Sequence, residues 1–218
     1  MAMAGRRQWA FAALLLLIRH SGMVGAGGGP SLTCTSGTTY ASTFSAGGVV
    51  TTSITTSAEL NAAFAALNTS NPTGTILDLA PGTYTLDQVT NNFGDPIAYN
   101  LQGNVCLQST GPSGTSIVAA ADSRHFTKSA GTLQMVGLTV AGGSSGTTHG
   151  GIVISGGQAA FEDLKFYGND IINSLGNGGA LAVTGGTVYL GTGVVFDTNN
   201  ANDGGHLYIS GGAVTTGE

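Results

Sequence analysis

Charged side chains are scarce in this sequence of 218 residues. Only 8% of the chain is Asp, Glu, Lys or Arg, whereas an average soluble protein has about a quarter. Six basic residues against eleven acidic ones give a formal net charge of −5. Because nucleic-acid binding needs a basic face that neutralises phosphates, this composition argues against a nucleic-acid partner.

Cysteine is equally scarce, since the chain has only Cys34 and Cys106. Their spacing matches no metal site or redox motif. In an oxidising compartment the two are expected to form one disulfide, which would tie an N-terminal arm to the body of the protein. The alternative is two free thiols in an intracellular protein.

Long apolar runs are also missing, apart from the ten residues Trp9–Ile18. A helix that spans a bilayer needs about 20 apolar residues. Arg6 and Arg7 precede the run and small residues follow it, so residues 1–26 are predicted to be a secretory signal peptide. A retained anchor is the alternative. We therefore expect a secreted or cell-surface protein with no transmembrane span in the mature chain.

Glycine, in contrast, is abundant, with 37 residues, and in the last third of the chain it follows a pattern. Three segments begin and end with glycine pairs, and two Phe-x-x-Asn motifs lie between them. The spacing from one copy to the next is 26 to 30 residues, which is typical of a solenoid. The segments are GGIVISGG (150–157), GGALAVTGG (178–186) and GGHLYISGG (204–212), with FYGN (166–169) and FDTN (196–199).

Within each copy, apolar residues alternate with small ones, as in a short β-strand. A unit of this length with several short strands and no helix predicts one rung of a parallel β-helix, in which each strand pairs with its copy in the next rung. The clear repeats cover residues 131–218. Asn169 and Asn199 are then expected to stack as a structural asparagine ladder, and Phe166 and Phe196 to stack in the core.

One amphipathic helix is predicted at residues 57–68, with Ser57 as its N-cap and an apolar stripe that includes Leu60 and Phe64. A β-helix exposes an apolar cross-section at its end, and this helix would cover it. The Ser/Thr/Gly-rich residues 27–56 precede it as an extended arm or a first edge strand. Asn68 begins a possible glycosylation sequon.

The glycine pairs and the FYGN and FDTN motifs resemble the GGA(I/L/V) and FxxN repeats of the polymorphic outer membrane proteins of chlamydiae. The helix followed by LAPGTYTL (79–86) resembles the opening segment of the pectin-lyase-like superfamily. The first resemblance covers about residues 124–218. Together they imply a single-stranded, right-handed parallel β-helix with an N-terminal capping helix, in the class of all-β proteins. They imply no active site, because the repeat alone defines the family.

The predicted β-helix extends over residues 57–218 and stops at Glu218 in the middle of a rung, without a capping segment. The preferred explanation is that the sequence is a fragment of a longer protein. The alternative is that a partner covers the open end.

An enzyme on this fold would be a polysaccharide lyase or a glycoside hydrolase. A lyase needs a base and a cation, and a hydrolase needs two carboxylates at a defined separation. Lys165, Asp170 and Asp197 are the candidate catalytic residues, since Asp170 and Asp197 are expected at near-equivalent positions one rung apart. A solvated ion pair of Lys165 with Glu162 or Asp163 is the preferred alternative.

Calcium is the only cofactor considered, at turns such as Asn169-Asp170 and Asn202-Asp203, and no other metal site is predicted. The sequence therefore favours a non-enzymatic structural, adhesive or carbohydrate-contacting module. Its expected partner is an extracellular polysaccharide or protein. A polysaccharide lyase or glycoside hydrolase remains the alternative function.

Overall fold

The computed structural model describes residues 50–69, 74–90, 96–97, 99–109, 114–144, 149–171 and 176–217. The predicted signal peptide, Cys34 and the first part of the predicted arm lie outside the described residues.

The described residues form nineteen short strands and one α-helix. In chain order the elements are β1 Val50–Ile54, α1 Ser57–Thr69, β2 Thr75–Leu79, β3 Gly82–Thr85, β4 Val89–Thr90, β5 Pro96–Ile97, β6 Tyr99–Asn100, β7 Val105–Ser109, β8 Thr115–Val118, β9 Phe126–Lys128, β10 Thr132–Val136, β11 Thr139–Ala141, β12 Ile152–Ile154, β13 Gln158–Glu162, β14 Lys165–Tyr167, β15 Leu181–Val183, β16 Thr187–Leu190, β17 Val195–Asp197, β18 Leu207–Ile209 and β19 Ala213–Thr216.

The strands form three long parallel sheets. Sheet 1 has the order β1-β2-β7-β10-β13-β16-β19, sheet 2 the order β3-β8-β11-β14-β17, and sheet 3 the order β6-β9-β12-β15-β18. Each rung therefore passes through sheet 1, sheet 2 and sheet 3 in turn, and β4 and β5 form an antiparallel hairpin outside this path. The predicted parallel β-helix is confirmed, and the described residues complete five rungs.

The sequence repeats coincide with the pairing register. Phe166 pairs with Phe196 in sheet 2, and Ile152 pairs with Leu181 in sheet 3. Alternate residues of each strand point inward, so the three sheets enclose one continuous apolar core. An inward position that is apolar in one rung is expected to be apolar in the next, because the two side chains touch. Lys128, the register partner of Ile154, is an exception.

The second glycine pair of each segment marks the corner where the chain enters sheet 1. Gly157 has a φ of +72°, which favours glycine, and a Cβ on it would collide with the carbonyl oxygen of Gly131 in the preceding rung. Gly186 stands in the same relation to Gly157. The corner therefore requires glycine twice over, for its backbone conformation and for the close approach of the rungs.

Helix α1 contacts β1, β3 and β6, which are the first strands of the three sheets. Its Phe64 is fully buried and lies edge-to-face against Tyr99 and Phe126, with ring centroids 5.5 and 5.7 Å away. The helix thus covers the N-terminal end of the solenoid core. Strand β1 is already part of sheet 1, so the residues from Val50 onward belong to the solenoid.

The N-cap of α1 is Thr56, and the prediction of Ser57 is wrong. The Thr56 hydroxyl accepts the Glu59 N–H at 3.2 Å, and the Glu59 carboxylate accepts the Thr56 N–H at 3.1 Å. This reciprocal arrangement is a capping box. The Ser57 hydroxyl instead accepts the N–H of Thr85 at 2.9 Å, which fastens the helix to β3.

The opposite end of the solenoid is less buried. Strands β17, β18 and β19 form the last edges of sheets 2, 3 and 1, and Val195 and Ile209 are half exposed there. In the part of the chain that the structure describes, no helix is long and apolar enough to cross a membrane.

Phe64→Ala should lower the free energy of unfolding by about 3–5 kcal/mol, because it removes the largest buried side chain of the cap. Phe64→Leu should cost less, since it keeps most of the apolar volume. Ala65→Ser on the exposed side of the same helix is the control and should change stability little. Denaturant unfolding followed by circular dichroism measures all three, and equal stability of Phe64→Ala and the control would contradict the role of α1 as a cap.

Candidate functional site

Phe166 and Phe196 stack in parallel, with ring centroids 4.9 Å apart and an interplanar angle of 5°. Phe166 is fully buried, and Phe196 in the last rung is partly buried. Phe161 packs edge-to-face on Phe166 from sheet 1. The phenylalanines are therefore core residues that fix the spacing of β14 and β17.

Asn169 and Asn199 form a buried ladder beside these rings. Nδ2 of Asn169 donates to Oδ1 of Asn199 at 2.8 Å and to the carbonyl of Val140 at 3.0 Å. Its Oδ1 accepts the N–H of Gly143 at 2.9 Å. Nδ2 of Asn199 donates to the carbonyl of Phe166 at 3.0 Å. Each amide thus satisfies backbone groups of the turn between sheets 2 and 3.

His125 takes the corresponding position one rung earlier. Its Nε2 lies 3.2 Å from the carbonyl oxygen of Ile117 and 2.9 Å from that of Ala141. Ile117, Val140 and Phe166 stand in register on neighbouring strands, so their carbonyls receive hydrogen bonds from His125, Asn169 and Asn199 in turn. The ladder has three members, one of them a histidine.

Glycine at position 143 allows His125 to take the place of a ladder asparagine. Gly143 stands where the FxxN motif would place an asparagine, and a Cβ there would lie 2.8 Å from the His125 ring. The missing side chain leaves room for the imidazole, which arrives from the preceding turn. Two features of the sequence could have indicated this role of His125. No FxxN motif precedes Gly150, and a histidine lies in the preceding turn of the chain.

The tautomer of His125 follows from its partners. Both groups near Nε2 are carbonyl oxygens, which can only accept, so Nε2 carries the proton and Nδ1 does not. Complete burial lowers the pKa of His125 to about 4. Nδ1, the Ser123 hydroxyl and the Ser144 hydroxyl are buried without a hydrogen-bond partner in the described part, and the Ser144 N–H donates to the Ser123 carbonyl.

The outer face of sheet 2 is the most open face that the described residues form. Its outward side chains stand in two rows that cross all five strands, and none of them is buried. Rungs are spaced by about 4.8 Å, so each row repeats a side chain at that interval. The rows are Thr83-Ser116-Thr139-Lys165-Val195 and Thr85-Val118-Ala141-Tyr167-Asp197.

Three polar side chains meet near the C-terminal end of this face. Nζ of Lys165 lies 2.9 Å from Oδ2 of Asp197 and 4.7 Å from the centroid of the Tyr167 ring. The hydrogen bond from Lys165, with a second from Thr198, holds the pKa of Asp197 below its usual value. All three side chains are roughly half exposed, so the cluster is a solvent-facing ion pair with an aromatic ring beside it.

Two expectations about these charges are wrong. Asp197 stands in register with Tyr167 and Asp170 with Asn200, so the two carboxylates do not occupy equivalent positions. The structure pairs Lys165 with Asp197 on the neighbouring strand, and not with the expected Glu162 or Asp163. Only Lys165 and Asp197 of the three candidate catalytic residues lie together.

Lys128, another basic residue, is buried inside the solenoid. It points inward from β9 with no exposed surface, and its ammonium donates to the carbonyl of Gly103. Burial lowers its pKa to about 8. Sequence reasoning missed this position, because a lysine in a strand is normally placed outside.

The remaining predicted site residues are separate from the cluster. Asn68 lies in the last turn of α1, where its Oδ1 accepts the N–H of Asn100 at 2.8 Å. Cys106 is fully buried on β7, and its predicted partner Cys34 lies outside the described residues. The Asn169 side chain is used by the ladder, so it is not available to a calcium ion there. A search of the described residues finds no group of three or more metal-binding side chains.

A cleft of about 460 Å³ lies between α1 and strands β1 and β2. Its lining is mainly small and apolar, and Glu59 is the one charged residue among those that line it in the described part of the chain. The Glu59 carboxylate is already bound to the helix N-terminus. The cleft is therefore a packing gap beside the cap, at the opposite end of the solenoid from Lys165.

Comparison with protein-family models, with curated proteins and with solved structures finds no match for this chain. The fold and the faces described above therefore define the class of the protein, a parallel β-solenoid with a helical cap, on physical grounds alone.

Asn169→Ala should lower the free energy of unfolding by about 2–4 kcal/mol, because it leaves several buried polar groups of the ladder unpaired. Asn169→Asp should also destabilise at neutral pH, since a carboxylate cannot donate to the Val140 carbonyl. Asn202→Ala, an exposed asparagine in the next turn, is the matched control. Denaturant unfolding gives the comparison, and a loss no larger than that of the control would contradict the ladder.

Acid should weaken the fold through His125. Between pH 6.5 and about 4, the unfolded histidine is protonated while the buried one stays neutral, so the unfolded state binds more protons and stability falls as pH falls. The expected loss is about 1.4 kcal/mol per pH unit and about 3 kcal/mol in all.

Unfolding free energies measured at several pH values between 4 and 7.5 test this expectation. His125→Gln keeps a donor for the Ile117 carbonyl but cannot titrate, so the stability of wild type relative to the variant should fall by about 3 kcal/mol toward low pH. A difference that stays constant with pH would contradict the assignment.

Proposed function

We propose that this protein is a secreted or cell-surface β-solenoid that binds an extracellular polysaccharide through the outer face of sheet 2, without catalysing a reaction. The observation that carries the proposal is the open, regular face with Tyr167, Lys165 and Asp197 at one end. The signal-like residues 1–26 and the low content of charged residues support placement outside the cell.

The regularity of the face suits a polymer. Outward Thr and Ser hydroxyls repeat from strand to strand at about 4.8 Å, and each hydroxyl can both donate and accept a hydrogen bond. An extended polysaccharide also presents hydroxyls at regular intervals along one direction. Many weak contacts of this kind add up along a chain, although each contributes little alone.

The cluster at the end of the face supplies the chemistry that sugars favour. The exposed ring of Tyr167 offers a flat apolar surface on which the C–H face of a sugar ring can pack. The Lys165 ammonium and the Asp197 carboxylate can donate to and accept from sugar hydroxyls as charge-assisted hydrogen bonds. Their mutual contact holds both groups in place beside the ring.

A polysaccharide lyase or a glycoside hydrolase is the second candidate, favoured by the contact between Lys165 and Asp197. Hydrolysis needs two carboxylates about 5–10 Å apart, whereas the register places Tyr167 and not a carboxylate opposite Asp197. A lyase would use Lys165 as a base, but its Nζ is already engaged with Oδ2 of Asp197 at 2.9 Å. We therefore place binding ahead of catalysis.

The binding proposal is tested with the purified secreted protein on immobilised polygalacturonate, alginate, chondroitin and a neutral glucan. Tyr167→Ala should weaken binding to the preferred polymer about tenfold, which corresponds to about 1.4 kcal/mol. Tyr208→Ala, which removes a tyrosine from the outer face of sheet 3, is the control and should bind normally. Equal binding by wild type and Tyr167→Ala would contradict the proposed face.

The same polymers are assayed for new reducing ends and for unsaturated products, with and without calcium. No product is expected from the wild-type protein. Product formation that Lys165→Ala or Asp197→Ala abolishes would overturn the non-enzymatic assignment and establish the second candidate.

A further inference from the structure

Three neighbouring outward residues in the middle of sheet 1 are almost completely buried. Cys106, Gln134 and Ala160 stand in register on β7, β10 and β13, and their exposed fractions are 0%, 1% and 1%. They alternate with the inward residues of the same strands and do not belong to the apolar core. A side chain that points away from the core is expected to be at least partly exposed.

The other two sheets show what is normal for this fold. No outward residue of sheet 2 is buried. In sheet 3, Val153 and Ala182 are buried although they point outward, and a Cβ on Gly178 would lie 2.9 Å from that of Ala182. A turn residue of the described chain therefore covers sheet 3 at this point.

The neighbours of Gln134 in this row, Cys106 and Ala160, are small and cannot cover its long side chain. The strands that make extensive contacts with β10 are β7 and β13, which lie beside it in the same sheet. Gln134 is a long side chain, and its Nε2 is buried without a hydrogen-bond partner in the described part. Something outside the sheet must cover it.

Cys106 identifies the cover. Among the described residues no cysteine has a free thiol, and Cys34 is the only other cysteine in the sequence. We propose that residues 27–49 dock as an N-terminal strap across the outer face of sheet 1, over Gln134 and Ala160, and are held there by a Cys34–Cys106 disulfide.

The length of the strap fits this path. Fifteen residues lie between Cys34 and Val50 at the start of β1, and an extended chain of that length spans up to about 50 Å. Strand β7 lies only two strand spacings from β1, about 10 Å. The connection therefore has ample slack, and residues 27–33 can reach onward over β10 and β13.

The composition of the strap suits a half-polar surface. It carries Leu32, Tyr40 and Phe44, which can cover Ala160 and the disulfide, among many Ser and Thr residues. Their hydroxyls and the strap backbone can supply partners for the amide of Gln134. The strap needs no helix or regular strand for this role.

The Cys34–Cys106 disulfide would form by thiol–disulfide exchange with an oxidant. The Cys34 and Cys106 thiols lose two protons and two electrons as the S–S bond forms, and a disulfide oxidant accepts them as it is reduced to two thiols. Such oxidants are present where secreted proteins fold. The strap is independent of the polysaccharide proposal, which concerns sheet 2.

The test uses the full secreted chain and two matched reporters. Ala160→Cys places a thiol on the covered face of sheet 1, and Ala141→Cys places one on the open face of sheet 2. Each is made with the two native cysteines present and in a Cys34→Ser/Cys106→Ser background. The rate of maleimide labelling is measured on folded protein, and peptide mapping without reduction identifies the disulfide.

We expect a linked Cys34–Cys106 peptide. Ala160→Cys should react at least tenfold more slowly with the disulfide present than without it, whereas Ala141→Cys should react equally in both backgrounds. Two free native thiols, or equal rates for Ala160→Cys in the two backgrounds, would overturn the proposal. Protection that depends on protein concentration and not on the disulfide would also overturn it and assign the cover to a second copy of the chain.

Discussion

Parallel pairing between rungs is the constraint on which the rest of this structure depends. Each strand must find its hydrogen-bond partners on the strand about 4.8 Å before it and the one after it, so every side chain lies on its own counterpart. Phe196 therefore lies on Phe166, Asn199 on Asn169, and Gly186 against Gly157. The repeated motifs of the sequence therefore reflect the stacking of equivalent residues in successive rungs.

Where the motif fails, a different residue meets the same requirement. The carbonyl of Ile117 needs a donor just as those of Val140 and Phe166 do, and Gly143 cannot supply the amide that would be expected there. His125 supplies the donor from the preceding turn. The need of this carbonyl for a donor is thus fixed, whereas the side chain that meets the need can vary. Here the donor is a histidine, so a titratable group lies in the interior.

The sequence predicts those features that depend on stacking. The glycine pairs, the alternation of apolar residues and the helix before the first complete rung indicate the solenoid and its cap, and the structure confirms them. The partner of Lys165 could not be predicted, because rungs differ in length and the sequence alone does not give the register. Asp170 pairs with Asn200, which lies three residues after Asp197, so the two carboxylates are not counterparts. The N-cap was misplaced because Thr55, Thr56 and Ser57 are three adjacent residues that can all cap a helix.

Strand pairing in this fold reaches only from one rung to the next, and this limits how the protein can change over evolutionary time. A whole rung can be duplicated or lost between the cap and the last edge while every other contact keeps its partner. A deletion within a strand has no such freedom, because it would shift that strand against both of its neighbours. Lineages of such a chain should therefore vary in length by complete turns, while the helical cap, which has no second copy among the described residues, stays a single unit.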